Sequence, residues 1–134
     1  MKVIVTGVTG QDGSYMVKYL LNKFNDVKIF GTIRRLSVKN HENIEDVNDP
    51  RFELINLDIT DQSSIINAVI NIKPDYIFNF AAQSFVGESW NTPIHTFTTN
   101  TLSVMYFLEA IRMFHPTCRF YSAGSSEEFG DVDY

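Results

Sequence analysis

The chain has 134 residues, 44% of them hydrophobic and 20% charged, which is apolar material for one sizeable core and for one domain or part of one. Eleven Lys and Arg against sixteen Asp and Glu leave a formal net charge of -5, the wrong sign for general attraction to a nucleic-acid backbone or an anionic membrane, so any phosphate must be bound locally. The single cysteine, Cys118, excludes an intramolecular disulfide and fits a reducing compartment; with no signal-peptide core and no stretch of membrane-spanning length, the cytoplasm is the expected location.

Lys2 to Thr6 (KVIVT) is a β-branched apolar run that stops at glycine, as a buried strand does. The glycine-rich TGVTGQDGSY follows. From Ser14 to Phe24, Tyr15, Met16, Tyr19, Leu20 and Phe24 form a helical stripe. Val27 to Ile33 is predicted as the second strand, ending at Arg34 and Arg35, and the polar, turn-rich residues 37–50 as a long loop with room for a helical turn. Arg51 to Leu57 is the third strand, closed by Asp58. Thr60 or Asp61 can cap a helix with an apolar face of Ile65, Ile66, Val69 and Ile70 that must end before Lys73-Pro74. Asp75 to Ala82 is the fourth strand, and Gln83 to Pro93 a loop. Ile94 to Phe114 is a long helix carrying Leu102, Met105, Tyr106, Leu108 and Ile111, stopped by His115-Pro116. Cys118 to Ala123 is the fifth strand and runs into GSSEEFGDVDY.

This alternation predicts an α/β fold, a doubly wound parallel sheet of five strands; a Rossmann-like arrangement of it implies the order 3-2-1-4-5. Ligands of such sheets bind outside the carboxyl ends of the strands, and here each strand ends in glycine or polar residues.

Gly7, Gly10 and Gly13 lie between a strand and a helix. There the first glycine permits a tight turn, the second a close approach of backbone to pyrophosphate, and the third close packing of helix on sheet. The helix N-terminus adds unpaired N–H groups and the positive end of its dipole. Arg34 and Arg35 stand where an NAD site needs a carboxylate for the ribose 2′-hydroxyl; two guanidinium groups suit a 2′-phosphate better, which points to NADP. A solvated pair of arginines at a loop start is the plainer alternative. Asp58 can accept hydrogen bonds from an adenine amino group, or equally shape the turn before the next helix. Ala81, Ala82, Gln83 and Ser84 are small or polar residues suited to a cofactor passing close by, or to packing alone. In GSSEEFG, hydroxyls followed by a carboxylate at a strand end can bind a substrate hydroxyl and remove a proton, although capping is a common use of Ser-Ser-Glu. His41, His95 and His115 are too scattered to suggest a metal site.

These segments together, TGVTGQDGSY, GTIRRLS, LDITD, IKPDYIFNFAAQS and GSSEEFG, resemble the GDP-mannose 4,6-dehydratases of the extended short-chain dehydrogenase/reductase superfamily over essentially the whole chain. QDGSY is the most specific element. The resemblance implies an NADP-dependent lyase that takes GDP-mannose to GDP-4-dehydro-6-deoxy-mannose and water. In it a hydride leaves C4 of the hexose, water is eliminated across C5 and C6, and the hydride returns at C6. By the same matching, Gly7, Thr9, Gly10, Gln11, Asp12 and Gly13 surround the pyrophosphate, and Arg34, Arg35 and Ser37 take the 2′-phosphate. Asp58 and Ile59 sit by the adenine, and Ala81, Ala82, Gln83 and Ser84 line the cofactor. Ser125 stands for the family's threonine that hydrogen-bonds the C4 hydroxyl, and Glu127 for its glutamate of the elimination. His95 replaces a tyrosine often found beside the cofactor, Phe85 a histidine, and Phe129 a tyrosine.

The superfamily's Tyr-x-x-x-Lys pair is expected roughly 20 residues beyond Glu127, after Tyr134. Residues 1–134 are therefore expected to be the N-terminal portion of the NADP-binding domain, inactive by itself, without the Tyr-x-x-x-Lys helix or the substrate domain. Members of the family commonly pair through the long helix and a neighbouring helix expected beyond residue 134, so the resemblance implies a homodimer or homotetramer of the full protein. Another sugar-nucleotide dehydratase, a 4-keto-6-deoxy-sugar reductase or a non-catalytic NADP-binding module are the alternatives.

Overall fold

The computed structural model describes residues 1–34, 42–125 and 130. Its elements in chain order are β1 (Lys2–Thr6), α1 (Gln11–Lys23), β2 (Lys28–Ile33), a single 3₁₀ turn (Glu42–Ile44), β3 (Phe52–Asn56), α2 (Gln62–Ile72), β4 (Tyr76–Asn79), α3 (Val86–Asn91), α4 (Pro93–Phe97), a π-helical turn (Thr98–Leu102), α5 (Ser103–Phe114) and β5 (Arg119–Ser122). The five strands form one parallel sheet in the order β3-β2-β1-β4-β5, the order expected of a Rossmann-like sheet.

The central strand explains why the sheet needs helices on both faces. Val3, Ile4, Val5 and Thr6 are all fully buried, so neither face of β1 meets water. Successive side chains point to opposite faces. Val3 and Val5 pack with Val8, Val17, Leu20, Ile29 and Ile44 on the side of α1 and the 3₁₀ turn. Ile4 joins Ile65, Val69, Ile77, Phe107, Ala110 and Ile111 on the side of α2 and α5.

Local chemistry sets the helix ends. The Asp61 carboxylate accepts from the Ser63 N–H at 2.9 Å and caps α2; Lys73 ends it in the left-handed conformation, φ 53°, just before Pro74. The C-terminus of α1 is held from outside, where the Arg51 guanidinium donates to the carbonyls of Phe24 (2.8 Å) and Leu21 (3.2 Å). Hydrogen bonds from the Arg51 side chain and N–H lower the Asp49 carboxyl from 3.8 to about 2. A carboxyl with a depressed pKa stabilises the fold above its unfolded value, and that contribution is lost as pH falls through the folded one. Asp49→Asn is therefore expected to melt below the parent at neutral pH, with the gap closing between about pH 4 and pH 2. A gap that widens in acid would contradict this.

Five expectations are corrected. The stretch 83–93 is not all loop, because Val86–Asn91 forms α3. Residues 94–114 are not one regular α-helix; α4 begins at Pro93 and a π turn separates it from α5. The expected stripe of α1 is also displaced. Tyr15 and Tyr19 are more than half exposed, and the buried face is Gly13, Ser14, Val17 and Leu20, small residues toward the N-terminal end that bring the helix close to the sheet. Likewise Ile65 and Val69 are buried in α2 while Ile70 is exposed, and Phe107 rather than Met105 or Leu108 anchors α5.

Candidate functional site

Gly7 leaves β1 with φ +67°, a left-handed conformation that favours glycine. A Cβ there would stand 2.8 Å from the Ala81 nitrogen, so space as well as backbone demands glycine. Gly13, inside the first turn of α1, is tighter still: a Cβ would lie 2.7 Å from the Gly7 carbonyl carbon and 2.9 Å from the Val8 Cα. The Gly10 N–H donates to the Gly7 carbonyl at 2.9 Å, and the Gly10 carbonyl accepts from Ser14 at 3.1 Å, which starts the helix. Gly10 is the N-cap and, as a glycine, has no side chain to cap the turn. The N–H groups of Gln11, Asp12 and Gly13 precede the first intrahelical donor and carry the positive end of the dipole. Asp12, exposed in this turn, can offer an anion only its N–H.

The opposite wall is the end of β4, fixed by one buried hydroxyl. Thr6 Oγ1 donates to Asn79 Oδ1 (2.6 Å) and accepts from the N–H groups of Phe80 (3.1 Å) and Ala81 (3.0 Å). Beyond it, Gln83 is held at four points. Its N–H donates to Asn100 Oδ1 (2.8 Å), its carbonyl accepts from Asn100 Nδ2 (2.9 Å), and its side-chain amide exchanges two hydrogen bonds with the Phe85 backbone. The Gln83 amide thus shapes the loop. Asn100 belongs to the π turn, a local widening of a helix that is frequent at functional sites.

Between these walls lies an open cleft of about 770 Å³, which falls in the range of ligand pockets. It brings together Gly7, Gly10, Gln11, Asp12 and Gly13 with Ala81, Ala82, Gln83, Ser84 and, from the end of β5, Ser125. Sequence reasoning missed Ser89, Trp90, Thr96 and Asn100, which join the lining from the stretch read as loop and from the start of the long helix. Trp90, 84% exposed, stands at its edge.

Thr9, Arg34, Asp58 and Ile59 are not among the lining residues. The Thr9 carbonyl accepts from Asn43. Ile59 is buried in the core beside α2. Arg34 is exposed at the end of β2 and close enough to Asp58 to act on its charge. Partial desolvation raises the Asp58 carboxyl, but hydrogen bonds from the Thr60 hydroxyl (2.7 Å) and N–H (2.9 Å), with Arg34 and His95 nearby, outweigh it and hold Asp58 below its ordinary value. Asp58 therefore makes the turn contacts, and His95 comes to the same neighbourhood. Arg35, Ser37 and Glu127, like His41 and Phe129, lie outside the described residues. No helix among the described residues is long and apolar enough to cross a membrane.

The model of the family described as GDP-mannose 4,6 dehydratase matches residues 4–134. The chain belongs to this family. A GDP-mannose 4,6-dehydratase of Yersinia enterocolitica is 39% identical over 98% of the chain, and one of Drosophila melanogaster 38% identical over 96%. The chain spans 37% of the first and 34% of the second, little more than a third of either family member. Solved structures share the fold. The UDP-Glc/GlcNAc 4-epimerase of Campylobacter jejuni superposes with a TM-score of 0.85 at 23% identity, covering 99% of this chain and 40% of that one. A dTDP-glucose 4,6-dehydratase of Bacillus anthracis, solved in complex with NAD, gives 0.81 at 22% identity, again over 99% and 40%.

Proposed function

We propose that the chain is the dinucleotide-binding portion of a lyase that converts GDP-mannose to GDP-4-dehydro-6-deoxy-mannose and water with NADP as its cofactor. The observation that carries this reading is the pairing of a glycine-started α1 N-terminus with Ser125 across one cleft, in a chain of the GDP-mannose 4,6-dehydratase family. The fit of a dinucleotide is tested by space: Gly7 and Gly13 leave no room for a side chain where the loop meets β4 and the helix meets the loop.

The N–H groups at the start of α1 hold the pyrophosphate. Arg34, with Arg35 and Ser37 beside it in sequence, takes the ribose 2′-phosphate; its place at the end of β2 supports NADP over NAD. Asp58 and the Ile59 backbone lie toward the adenine, and residues 81–84 run along the cofactor. When bound, the nicotinamide supplies an acceptor for the hydride from C4 and the donor that returns it to C6. Ser125 holds the C4 hydroxyl. Glu127 takes the proton from C5 as the C6 hydroxyl leaves with a proton as water. The Tyr-x-x-x-Lys pair that takes the C4 hydroxyl proton and the residues that select the sugar nucleotide belong to the further length that the relatives have. The complete protein is read as a cytoplasmic homodimer or homotetramer.

The test is to incubate the complete protein with excess GDP-mannose and NADP in the amount of the enzyme. The expected product is lighter by one water, with no net NADPH. Glu127→Gln is expected to bind NADP as before and to turn over at least about a hundredfold more slowly. GDP-mannose left unchanged by the parent protein would overturn the reading.

A further inference from the structure

The connection from β2 to β3 is long and polar, yet residues 42–51 lie along α1 as a strap. At one end Asn43 Nδ2 donates to the Thr9 carbonyl at 2.7 Å. Next to it Ile44 is 5% exposed, packed with Val8 and Val17, and its carbonyl accepts from the Val47 N–H. In the middle Lys18 of α1 meets Asp46 at 2.9 Å. At the far end Arg51 grips the carbonyls of Leu21 and Phe24. The buried Ile44 sets where Asn43 stands, and the strap ties both ends of α1.

We infer that Asn43 is a positioning residue for the phosphate-binding loop; this rests on the dinucleotide reading above. The Thr9 carbonyl and the Gly10 N–H belong to one planar peptide unit. Its N–H end is tied to the Gly7 carbonyl at 2.9 Å, and its carbonyl end to Asn43. Glycines at 7 and 10 leave the flanking backbone unusually free, so the orientation of this unit needs fixing from outside. Fixed in this way, the Thr9 oxygen cannot swing its negative end toward an anion, and the N–H groups of Gln11 and Asp12 keep their direction. Without the Asn43 donor the peptide can rotate, which weakens the cradle and leaves the core untouched.

The test compares the parent with Asn43→Ala, Asn43→Asp and Asp46→Ala in the complete protein. NADPH binding is followed by fluorescence titration, adenosine binding by NMR shifts, and folding by thermal melting. Asn43→Ala is expected to weaken NADPH binding roughly three- to tenfold, the size of one lost hydrogen bond. Asn43→Asp, whose carboxylate cannot donate and repels the Thr9 oxygen, is expected to weaken it further. Adenosine, which has no phosphate, should bind all forms alike, and every variant should melt cooperatively within a few degrees of the parent. Asp46→Ala removes a strap contact but not the hydrogen bond and should bind NADPH as the parent does. Unchanged NADPH binding in Asn43→Ala, or an equal loss for adenosine, would overturn the inference while leaving the dinucleotide reading intact. A parent protein that binds neither NADPH nor NADH would overturn that reading, and the inference with it.

Discussion

Gly13→Ala is expected to weaken dinucleotide binding by at least about a hundredfold and to lower folding stability by about 2 kcal/mol. The two effects share a cause. The added Cβ would stand 2.7 Å and 2.9 Å from backbone atoms of Gly7 and Val8, not from the tip of a flexible side chain, so either α1 or the loop must move. Overpacking of this kind costs about 1–3 kcal/mol, and the better helix propensity of alanine returns at most about 1. A helix pushed off the sheet carries its N-terminal donors out of hydrogen-bond range of the phosphates, which is why binding suffers more than folding. Gly10→Ala provides the graded comparison for folding alone, since within the protein its Cβ would meet only the Gly7 carbonyl oxygen at 3.3 Å, a clash that small shifts relieve, whereas toward a pyrophosphate it is expected to hinder binding as well. Titration with NADPH and a urea melt of both variants decide the matter. Equal binding by Gly13→Ala and the parent would contradict the packing argument.

Thr6→Val is expected to cost about 3 kcal/mol although the two side chains are nearly the same shape. Thr6 is fully buried, and its hydroxyl is partner to three groups, Asn79 Oδ1 and the N–H groups of Phe80 and Ala81. Valine leaves all three without the buried hydroxyl, and each group left unsatisfied costs about 1–3 kcal/mol before relaxation. Thr6→Ser keeps the hydroxyl and loses one methyl, so about 1 kcal/mol is expected. The consequence reaches the site, because the Thr6 hydroxyl sets the course of the chain from Phe80 to Ala81, against which Gly7 is packed. Chemical denaturation of the two variants measures the difference; a valine variant as stable as the serine one would refute the role of the hydroxyl.

How far the sequence reveals this molecule depends on whether a feature is local. β1, the glycine loop and the start of α1 are legible because the KVIVT run and three spaced glycines carry their own signal. The parallel, doubly wound sheet follows from the repeated alternation, and its strand order from the Rossmann-like glycine loop after the first strand. α3 is not legible: its N-cap, Phe85, makes no side-chain cap, and the loop before it is shaped by Gln83 folding onto the Phe85 backbone and pairing with Asn100, 17 residues on. The π turn falls in TTNTL, where nothing in the composition marks a change of pitch. The stripe of α1 misleads because aromatic residues look like core, whereas close packing against the loop selects Gly13, Ser14 and Val17. In the candidate site, the glycines, residues 81–84 and Ser125 gather as the strand ends predict. The pairs that hold the site in shape, Thr6 with Asn79 and Asn43 with Thr9, are 73 and 34 residues apart and become visible only in three dimensions.

The most direct measurement of the central claim uses GDP-mannose carrying deuterium at C4 of the hexose. If the complete protein oxidises C4, eliminates water and returns the same hydride, the label is expected at C6 of the 4-dehydro-6-deoxy product, with none in the solvent or in recovered cofactor. A product without deuterium at C6, or GDP-mannose recovered unchanged, would contradict the account.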